Sequence, residues 1–195
     1  MTAELRLENG GKPMFKQLGF LFNADDCIGC KACEIVCKNE NQTPVSVNWR
    51  RVQRISPDMF LSVSCNHCDS PECFRVCPER AFTKRQDGIV QIDPNLCTGC
   101  QLCVNACPYG APQFDPETQK VSKCQMCYPR QDVGLLPACV EACTTRALNI
   151  IDLNNFYDDK AVPTIEGFSD IQITRPSIAF YPGKTRKRYF LTNED

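Results

Sequence analysis

Sixteen cysteines are the residues of this sequence whose type and spacing could do chemistry. They form four groups of four: groups one and three share the spacing C-x2-C-x2-C-x3-C, group two has C-x2-C-x4-C-x3-C, and group four has C-x2-C-x11-C-x3-C. In order, the groups are Cys27, Cys30, Cys33 and Cys37; Cys65, Cys68, Cys73 and Cys77; Cys97, Cys100, Cys103 and Cys107; and Cys124, Cys127, Cys139 and Cys143. Complete sets of four thiols predict metal ligands.

Two other uses of cysteine compete with an iron–sulfur interpretation. Disulfide scaffolds are usually much shorter secreted chains, and their cysteines rarely form tight clusters of four. Structural zinc sites usually draw four ligands from two separated pairs. A run of three cysteines within seven residues would crowd such a site with thiolates. Disulfides and zinc therefore remain the minor alternatives.

A cubane iron–sulfur cluster needs thiolates that arrive from several directions. The C-x2-C-x2-C run forces the backbone to curl, and the small residues Gly29, Ala32 and Gly99 permit a close approach. The fourth cysteine follows at i+4, one helical turn along, and points away from its own loop. In two-cluster ferredoxins this cysteine binds the other cluster and is followed by proline, as Pro78 and Pro108 are placed here. The spacing predicts four [4Fe–4S] clusters and leaves open which groups exchange ligands.

Short strands are expected to hold these loops in place. Residues 19–23 precede group one, residues 88–93 precede group three, and residues 149–151 follow group four; all three are rich in β-branched or aromatic residues. Strand, cysteine loop, one or two helical turns and strand make a repeating unit, which indicates duplication. We predict an α+β fold.

Groups one and four enclose groups two and three, so an exchange of ligands between the two outer groups and between the two inner groups would give two intertwined bacterial-ferredoxin-like modules. A cysteine-free, proline-containing C-terminal segment should be long and irregular. The predicted divisions are module A (residues 15–38 and 120–152), a connection (39–59), module B (60–117) and a C-terminal extension packing on the core or on a partner (153–195).

Composition excludes some classes of protein. Lys and Arg number 22 and Asp and Glu number 23, a balance that argues against a nucleic-acid binder. No apolar stretch approaches the roughly 20 residues that cross a bilayer, so no direct membrane span is expected. The first residues do not resemble a signal peptide, so the protein alone is expected to be soluble. Neither a nucleophile arrangement nor a phosphate loop is recognisable, so no catalytic residue is predicted.

Several motifs together resemble one family, the four-cluster iron–sulfur subunit of the dimethyl sulfoxide reductase and polysulfide reductase (molybdopterin oxidoreductase) family. The resemblance covers about residues 18–152. The resemblance rests on the order of the four groups and on three motifs: Cys65-Asn66-His67-Cys68, Cys107-Pro108-Tyr109-Gly110-Ala111-Pro112 and Lys123-Cys124-x-x-Cys127-Tyr128. Thr174-Arg175-Pro176 is a weaker match. Some relatives carry Trp at the second cysteine of group three, whereas this chain has Cys100 and resembles the version in which every cluster has four irons.

The resemblance implies how the groups exchange ligands: one with four, and two with three. It gives quartet 1 as Cys27, Cys30, Cys33 and Cys143; quartet 2 as Cys124, Cys127, Cys139 and Cys37; quartet 3 as Cys65, Cys68, Cys73 and Cys107; and quartet 4 as Cys97, Cys100, Cys103 and Cys77. The path would run along the quartets in this order, with quartet 1 nearest the catalytic subunit and quartet 4 nearest the membrane, and the direction of electron flow along it stays open.

The resemblance also implies function and partners. The chain would relay single electrons between a quinol-interacting membrane anchor and a molybdopterin catalytic subunit in anaerobic respiration. It would be a non-catalytic subunit, peripheral to the prokaryotic cytoplasmic membrane through those partners, on a side that the sequence does not choose. A freestanding polyferredoxin and a subunit of a formate dehydrogenase or hydrogenase are the alternatives.

A few other residues carry expectations. His67, the only histidine, is expected beside a cluster as a hydrogen-bond donor, without a catalytic role. Residues expected to tune potentials or to be simply solvated are Lys31, Arg75, Lys123 and Arg130. Residues expected to form a docking patch or an ordinary exposed face are Trp49, Arg50, Arg51 and Arg54. The basic tail is expected to contact anionic lipid or an acidic partner, or to be simply solvated; its residues are Lys184, Arg186, Lys187 and Arg188.

Overall fold

The computed structural model describes residues 16–184. The residues before Phe15, for which the family has no recognised counterpart, and the basic residues Arg186, Lys187 and Arg188 lie outside the described residues. The elements are β1 (Leu18–Asn23), α1 (Ala32–Asn41), β2 (Arg51–Ser56), β3 (Met59–Val63), α2 (Glu72–Arg75), β4 (Phe82–Lys84), β5 (Val90–Ile92), α3 (Leu102–Ala106), β6 (Gln113–Asp115), β7 (Lys120–Ser122), α4 (Tyr128–Gln131), α5 (Ala138–Glu141), β8 (Leu148–Asp152) and β9 (Ile178–Tyr181). This mixed content agrees with the α+β prediction.

A three-stranded sheet with the order β8-β1-β9 joins the beginning of the described chain to its end. β1 pairs antiparallel with β8, with Phe20 opposite Ile150. Phe20 and Phe22 are buried in the largest apolar cluster, so β1 is a central strand with both neighbours present. The strands predicted at 19–23 and 149–151 are confirmed, and their pairing brings the strand before group one beside the strand after group four.

The C-terminal segment contains the third strand of this sheet. β9 runs parallel to β1, with Phe20 opposite Ile178, and Phe180 is fully buried. The prediction of an irregular segment is wrong at these four residues. The physical reason is that Ile178–Tyr181 is an apolar, β-branched and aromatic run that covers the open edge of β1, which would otherwise expose unpaired backbone groups.

Three hairpins complete the strands: β2–β3, β4–β5 and β6–β7, all antiparallel. The strand predicted over 88–93 is shorter, Val90–Ile92, and its partner is β4, which follows group two. The β2–β3 and β6–β7 hairpins cross the predicted limits of module B at residues 60 and 117.

Helix packing follows the same nesting as the cysteine groups. α1 packs on α5, and α2 packs on α3. The helix of group one therefore meets the helix of group four, and the helix of group two meets that of group three. Within residues 16–184, none of the helices has the length and apolar character that a membrane crossing requires.

Candidate metal centres

Left-handed backbone turns curl the cysteine loops of groups one and three in the same way. Gly29 and Gly99 have φ of 69° and 73°, and Lys31 and Gln101, two residues later, have φ of 61° and 62°. A Cβ on Gly99 would collide with the carbonyl oxygen of Gln119, so this glycine is required both by its φ and by the close approach. The repeated spacing thus encodes a repeated backbone conformation.

A short helix carries the third cysteine of every group. Cys33, Cys73, Cys103 and Cys139 lie on α1, α2, α3 and α5, respectively. In groups two and four a proline, Pro71 or Pro137, directly precedes the helix. Because the fourth cysteine comes one turn later, it is displaced along the chain from the third and can reach a different set of thiols.

A tight turn after the fourth cysteine recurs in groups two, three and four, and the sequence analysis missed it. Arg80, Gly110 and Arg146, each three residues after that cysteine, have φ of 50°, 57° and 57°. Their backbone N–H groups donate to the carbonyl oxygens of Cys77, Cys107 and Cys143 at 3.0–3.2 Å. The next residue in all three turns is a buried alanine. The shared C-x-x-[R/G]-A pattern was the available signal.

Two sets of thiols meet where α1 packs on α5. The thiolate charge of Cys27 interacts with those of Cys33, Cys143 and Cys30, so a cysteine of group four lies beside three of group one. Reciprocally, Cys37 of group one interacts with Cys139 and Cys127, and Cys124 interacts with Cys37 and Cys139. Quartets 1 and 2 are therefore each brought together in space.

The α2–α3 contact brings together the other two sets. Cys73 interacts with Cys65, Cys107 and Cys68, and a cavity is lined by these four cysteines. Cys103 interacts with Cys97, Cys100 and Cys77, and a second cavity is lined by these four. Quartets 3 and 4 thus each surround a space with sulfur. Within residues 16–184, no three His, Cys, Asp or Glu side chains converge closely enough to hold a single metal ion.

Some charge interactions also run between quartets and indicate their order. Cys37 and Cys139 of quartet 2 both interact with Cys33 of quartet 1. Cys124 of quartet 2 interacts with Cys65 of quartet 3. Quartets 3 and 4 are joined through α2 and α3, because Cys73 and Cys77 are one turn apart and belong to different quartets. These contacts link quartet 1 with quartet 2, quartet 2 with quartet 3, and quartet 3 with quartet 4.

Burial makes these thiols reluctant to ionise without a metal. Loss of hydration, followed by repulsion from neighbouring thiolates, raises the pKa of Cys37 and of Cys68 to about 12 and that of Cys103 to about 11. The same causes raise the pKa of the buried Cys124 well above its usual range. Buried thiolates need cations among them to balance their negative charge, and bound iron displaces the protons of the thiols. All sixteen thiols are free of disulfides.

Two hydrogen-bond donors without partners line the quartet 3 cavity. His67 is fully buried, and its Nδ1 accepts a hydrogen bond of 3.0 Å from the Val90 N–H. Burial is the main cause that lowers the pKa of His67, so the ring is neutral and its proton lies on Nε2. Neither Nε2 of His67 nor Nδ2 of Asn66 has a partner among the described residues. Cluster sulfurs are acceptors for such donors, so these residues fit a [4Fe–4S] cluster.

The predicted docking patch at residues 49–54 is wrong for Arg50. Its side chain is 2% exposed, because it lies under the β2–β3 hairpin and donates to Ser62 and Ser64. Arg51 donates to the carbonyl oxygens of Tyr109 and Gly110. The Trp49 indole N–H donates to Ser122 at 3.0 Å, so tertiary contacts hold three of the four residues, and Arg54 remains exposed over the Phe60 ring.

The four cations expected near cysteine loops differ in their surroundings. Lys123 is buried, lines the quartet 3 cavity and donates to the carbonyl oxygens of Val90 and Cys124. Lys31 is exposed, Arg75 pairs with Glu72, and Arg130 pairs with Glu40 and Glu141. Burial against a quartet therefore singles out Lys123 among the four.

Residues 57–153 match the 4Fe-4S dicluster domain family, and residues 24–40 match the 4Fe-4S binding domain family. Together the two matches include all four cysteine groups. They agree with the prediction that the cysteines bind [4Fe–4S] clusters, and they argue against a zinc module.

Individual relatives extend the similarity over most of the sequence. The B subunit of the anaerobic dimethyl sulfoxide reductase of Escherichia coli is 36% identical over 187 residues, which cover 87% of this chain and 90% of that one. The B subunit of the tetrathionate reductase of Salmonella typhimurium is 42% identical over 159 residues, covering 77% and 64%. The B subunit of the polysulfide reductase of Wolinella succinogenes is 40% identical over 152 residues, covering 73% and 80%.

Proposed function

Because this protein belongs to the family of iron–sulfur B subunits of the anaerobic dimethyl sulfoxide, tetrathionate and polysulfide reductases, we propose that it passes single electrons through four [4Fe–4S] clusters. The observation that carries the proposal is that cysteines of two different groups come together in each of four sets, two of which line cavities. The clusters supply the one-electron carriers, over a range of potentials that the protein sets.

The ligand assignment proposed here follows those quartets. Quartet 1 is Cys27, Cys30, Cys33 and Cys143, and quartet 2 is Cys37, Cys124, Cys127 and Cys139; together with α1 and α5 they form module A. Quartet 3 is Cys65, Cys68, Cys73 and Cys107, and quartet 4 is Cys77, Cys97, Cys100 and Cys103; together with α2 and α3 they form module B. The exchange links the two clusters within each module, since the third and fourth cysteines of each group lie one turn apart and belong to different quartets. The interaction of Cys124 with Cys65 supports the link between quartets 2 and 3.

The residues of this protein fix the positions of the clusters, tune their potentials and keep water away from them. The thiolates hold the carriers at fixed separation, the left-handed loops at Gly29 and Gly99 bring backbone N–H groups close to them, and the apolar core excludes water. His67 and Asn66 offer hydrogen bonds to quartet 3, which favour the reduced form because it carries more negative charge.

The two ends of the path support docking of two partners. Cys30 of quartet 1 and Cys100 of quartet 4 are the two exposed cysteines. Ile28 and Ile35 are exposed around the first, and Leu96 and Leu102 around the second. We propose that a molybdopterin catalytic subunit covers the quartet 1 end and that a quinol-interacting membrane anchor covers the quartet 4 end. The chain would then be peripheral to the cytoplasmic membrane through those subunits.

Metal analysis of the anaerobically purified full chain tests the cluster count. We expect about sixteen iron and about sixteen sulfide per chain, and paramagnetic signals after reduction with dithionite. A colourless protein with zinc, or one with iron for two clusters only, would contradict the proposal.

Size-exclusion chromatography of gently extracted native protein tests the partnership. We expect elution with a larger molybdenum-containing protein. A lone species of 22.0 kDa that carries its full iron would instead favour a diffusible polyferredoxin.

A further inference from the structure

Arg50 is a buried cation whose charge the electron-relay proposal does not yet use. Its guanidinium lies 4.5 Å from the centre of the Phe20 ring and is 2% exposed. Nη1 donates to Ser62 Oγ at 3.0 Å and Nη2 to Ser64 Oγ at 2.9 Å, while Nε has no partner among the described residues. Burying a full charge is costly unless other charges compensate it.

Arg50 forms no ion pair with a carboxylate within residues 16–184, so the thiolates that would hold the clusters are the negative groups left to compensate it. The charge of Arg50 interacts most strongly with Cys139 and Cys124, and then with Cys33 and Cys37. Three of these belong to quartet 2, and Cys33 belongs to quartet 1. One cation is therefore shared by both quartets of module A, and none of its main charge partners belongs to quartet 4.

Ser62 connects Arg50 to quartet 1 through a hydroxyl group. Its Oγ accepts the Nη1–H and lies 3.5 Å from Cys33 Sγ. Because the oxygen already accepts from a cation, its own proton is directed to another acceptor, and the Cys33 sulfur is the one within reach. Ser64 has no such role, since its Oγ faces the carbonyl oxygen of Cys65 at 3.4 Å.

We propose that Arg50 is a positioning residue that raises the reduction potentials of the two module A clusters together, and that Ser62 transmits part of this effect to quartet 1. The inference rests on the proposed electron relay. Each reduction adds one electron and one negative charge, which a fixed cation in a water-excluded interior stabilises. Because one charge shifts both potentials in the same direction, it changes the potential difference between the two clusters, and thus the driving force for transfer between them, only a little.

Redox titration of the holoprotein, followed by paramagnetic resonance, tests the role of Arg50. In Arg50→Gln we expect the reduction equilibria of quartets 1 and 2 to become at least tenfold less favourable, about 59 mV each for one electron, with quartet 4 unchanged. Arg50→Lys keeps the charge and should shift both potentials less than Arg50→Gln does.

A matched pair of serine variants keeps the test decisive if Arg50 variants fail to fold. Ser62→Ala and Ser64→Ala each remove one acceptor of Arg50 from an equally buried site. We expect Ser62→Ala to lower the potential of the quartet 1 cluster and Ser64→Ala to leave that potential unchanged.

Three results would overturn the inference: unchanged potentials in iron-replete Arg50→Gln, a uniform shift of all four clusters, or equal behaviour of the two serine variants. These results differ from a failure of the electron relay itself. In that case the unaltered protein would lack iron or reducible centres, whereas here the iron content stays full and only the expected shifts are missing.

Discussion

The inner quartets 2 and 3 differ from the outer quartets 1 and 4 mainly in burial. Seven of the eight inner cysteines are buried, and the eighth, Cys107, is partly buried. In the outer quartets only Cys97 and Cys103 are buried, and Cys30 and Cys100 are exposed. The buried charges and donors, Arg50, Lys123 and His67, lie beside the inner sets. The difference indicates that the middle of the path is insulated and that its ends are open to other molecules.

Replacing one cysteine of an inner quartet and one of an outer quartet should give the largest difference in iron content and stability. Cys139 is 4% exposed within the main apolar cluster, whereas Cys100 is exposed. We expect Cys139→Ser to lose most of the iron and to unfold at a clearly lower temperature, because cluster binding and folding are coupled. Cys100→Ser should lose at most about four of about sixteen irons and keep the fold. Iron analysis and circular dichroism measure both effects, and equal iron loss would contradict the comparison.

Removal of metal from the unaltered protein should distinguish the inner from the outer quartets by the rate at which each loses iron. With a chelator and a mild oxidant, we expect iron to leave in two phases, about eight atoms quickly from the outer quartets and about eight slowly from the inner ones. The reason is that reagents reach exposed thiolates directly, whereas the inner sets require local opening of the protein. Absorbance and paramagnetic resonance follow the phases; a single phase would contradict the prediction.

Glycine variants should show that the two outer loops tolerate a side chain differently. A Cβ at Gly99 meets the backbone oxygen of Gln119, whereas a Cβ at Gly29 lies 2.6 Å from the ring of Phe60, which can move. We expect Gly99→Ala to lower the unfolding temperature more than Gly29→Ala. Gly134→Ala is the control, with φ of 82° and open space around it, and should cost only about 1–2 kcal/mol. A reversed order of the two loops would contradict the structure.

A partly buried cation that two carboxylates neutralise should matter least. Arg130 pairs with Glu40 at 3.2 Å and with Glu141 on the surface of module A. We expect Arg130→Gln to cost less than about 1 kcal/mol of stability and to leave all cluster potentials unchanged, because solvent screens the charge. Thermal unfolding at low and high salt, together with redox titration, checks this. A shift of potentials like that expected for Arg50→Gln would show that burial does not govern the effect of a cation.

The cysteine spacing determined the local part of the site. Left-handed turns, short helices and the strands before and after the loops follow from neighbouring residues, so β1, β8 and the need for glycine at position 99 were predictable. The turn at Arg80, Gly110 and Arg146 was equally local, and its repeated pattern was simply overlooked.

Long-range packing decided the rest. Spacing leaves the partner of each fourth cysteine open, and the contacts of α1 with α5 and of α2 with α3 choose it. Arg50, close to two further arginines in the sequence, resembles a surface residue until the β2–β3 hairpin buries it among thiolates. β9 likewise gains strand structure from the free edge of β1. Local conformation depends on near neighbours, whereas burial and charge pairing depend on residues far apart in the chain, which meet only in the folded protein.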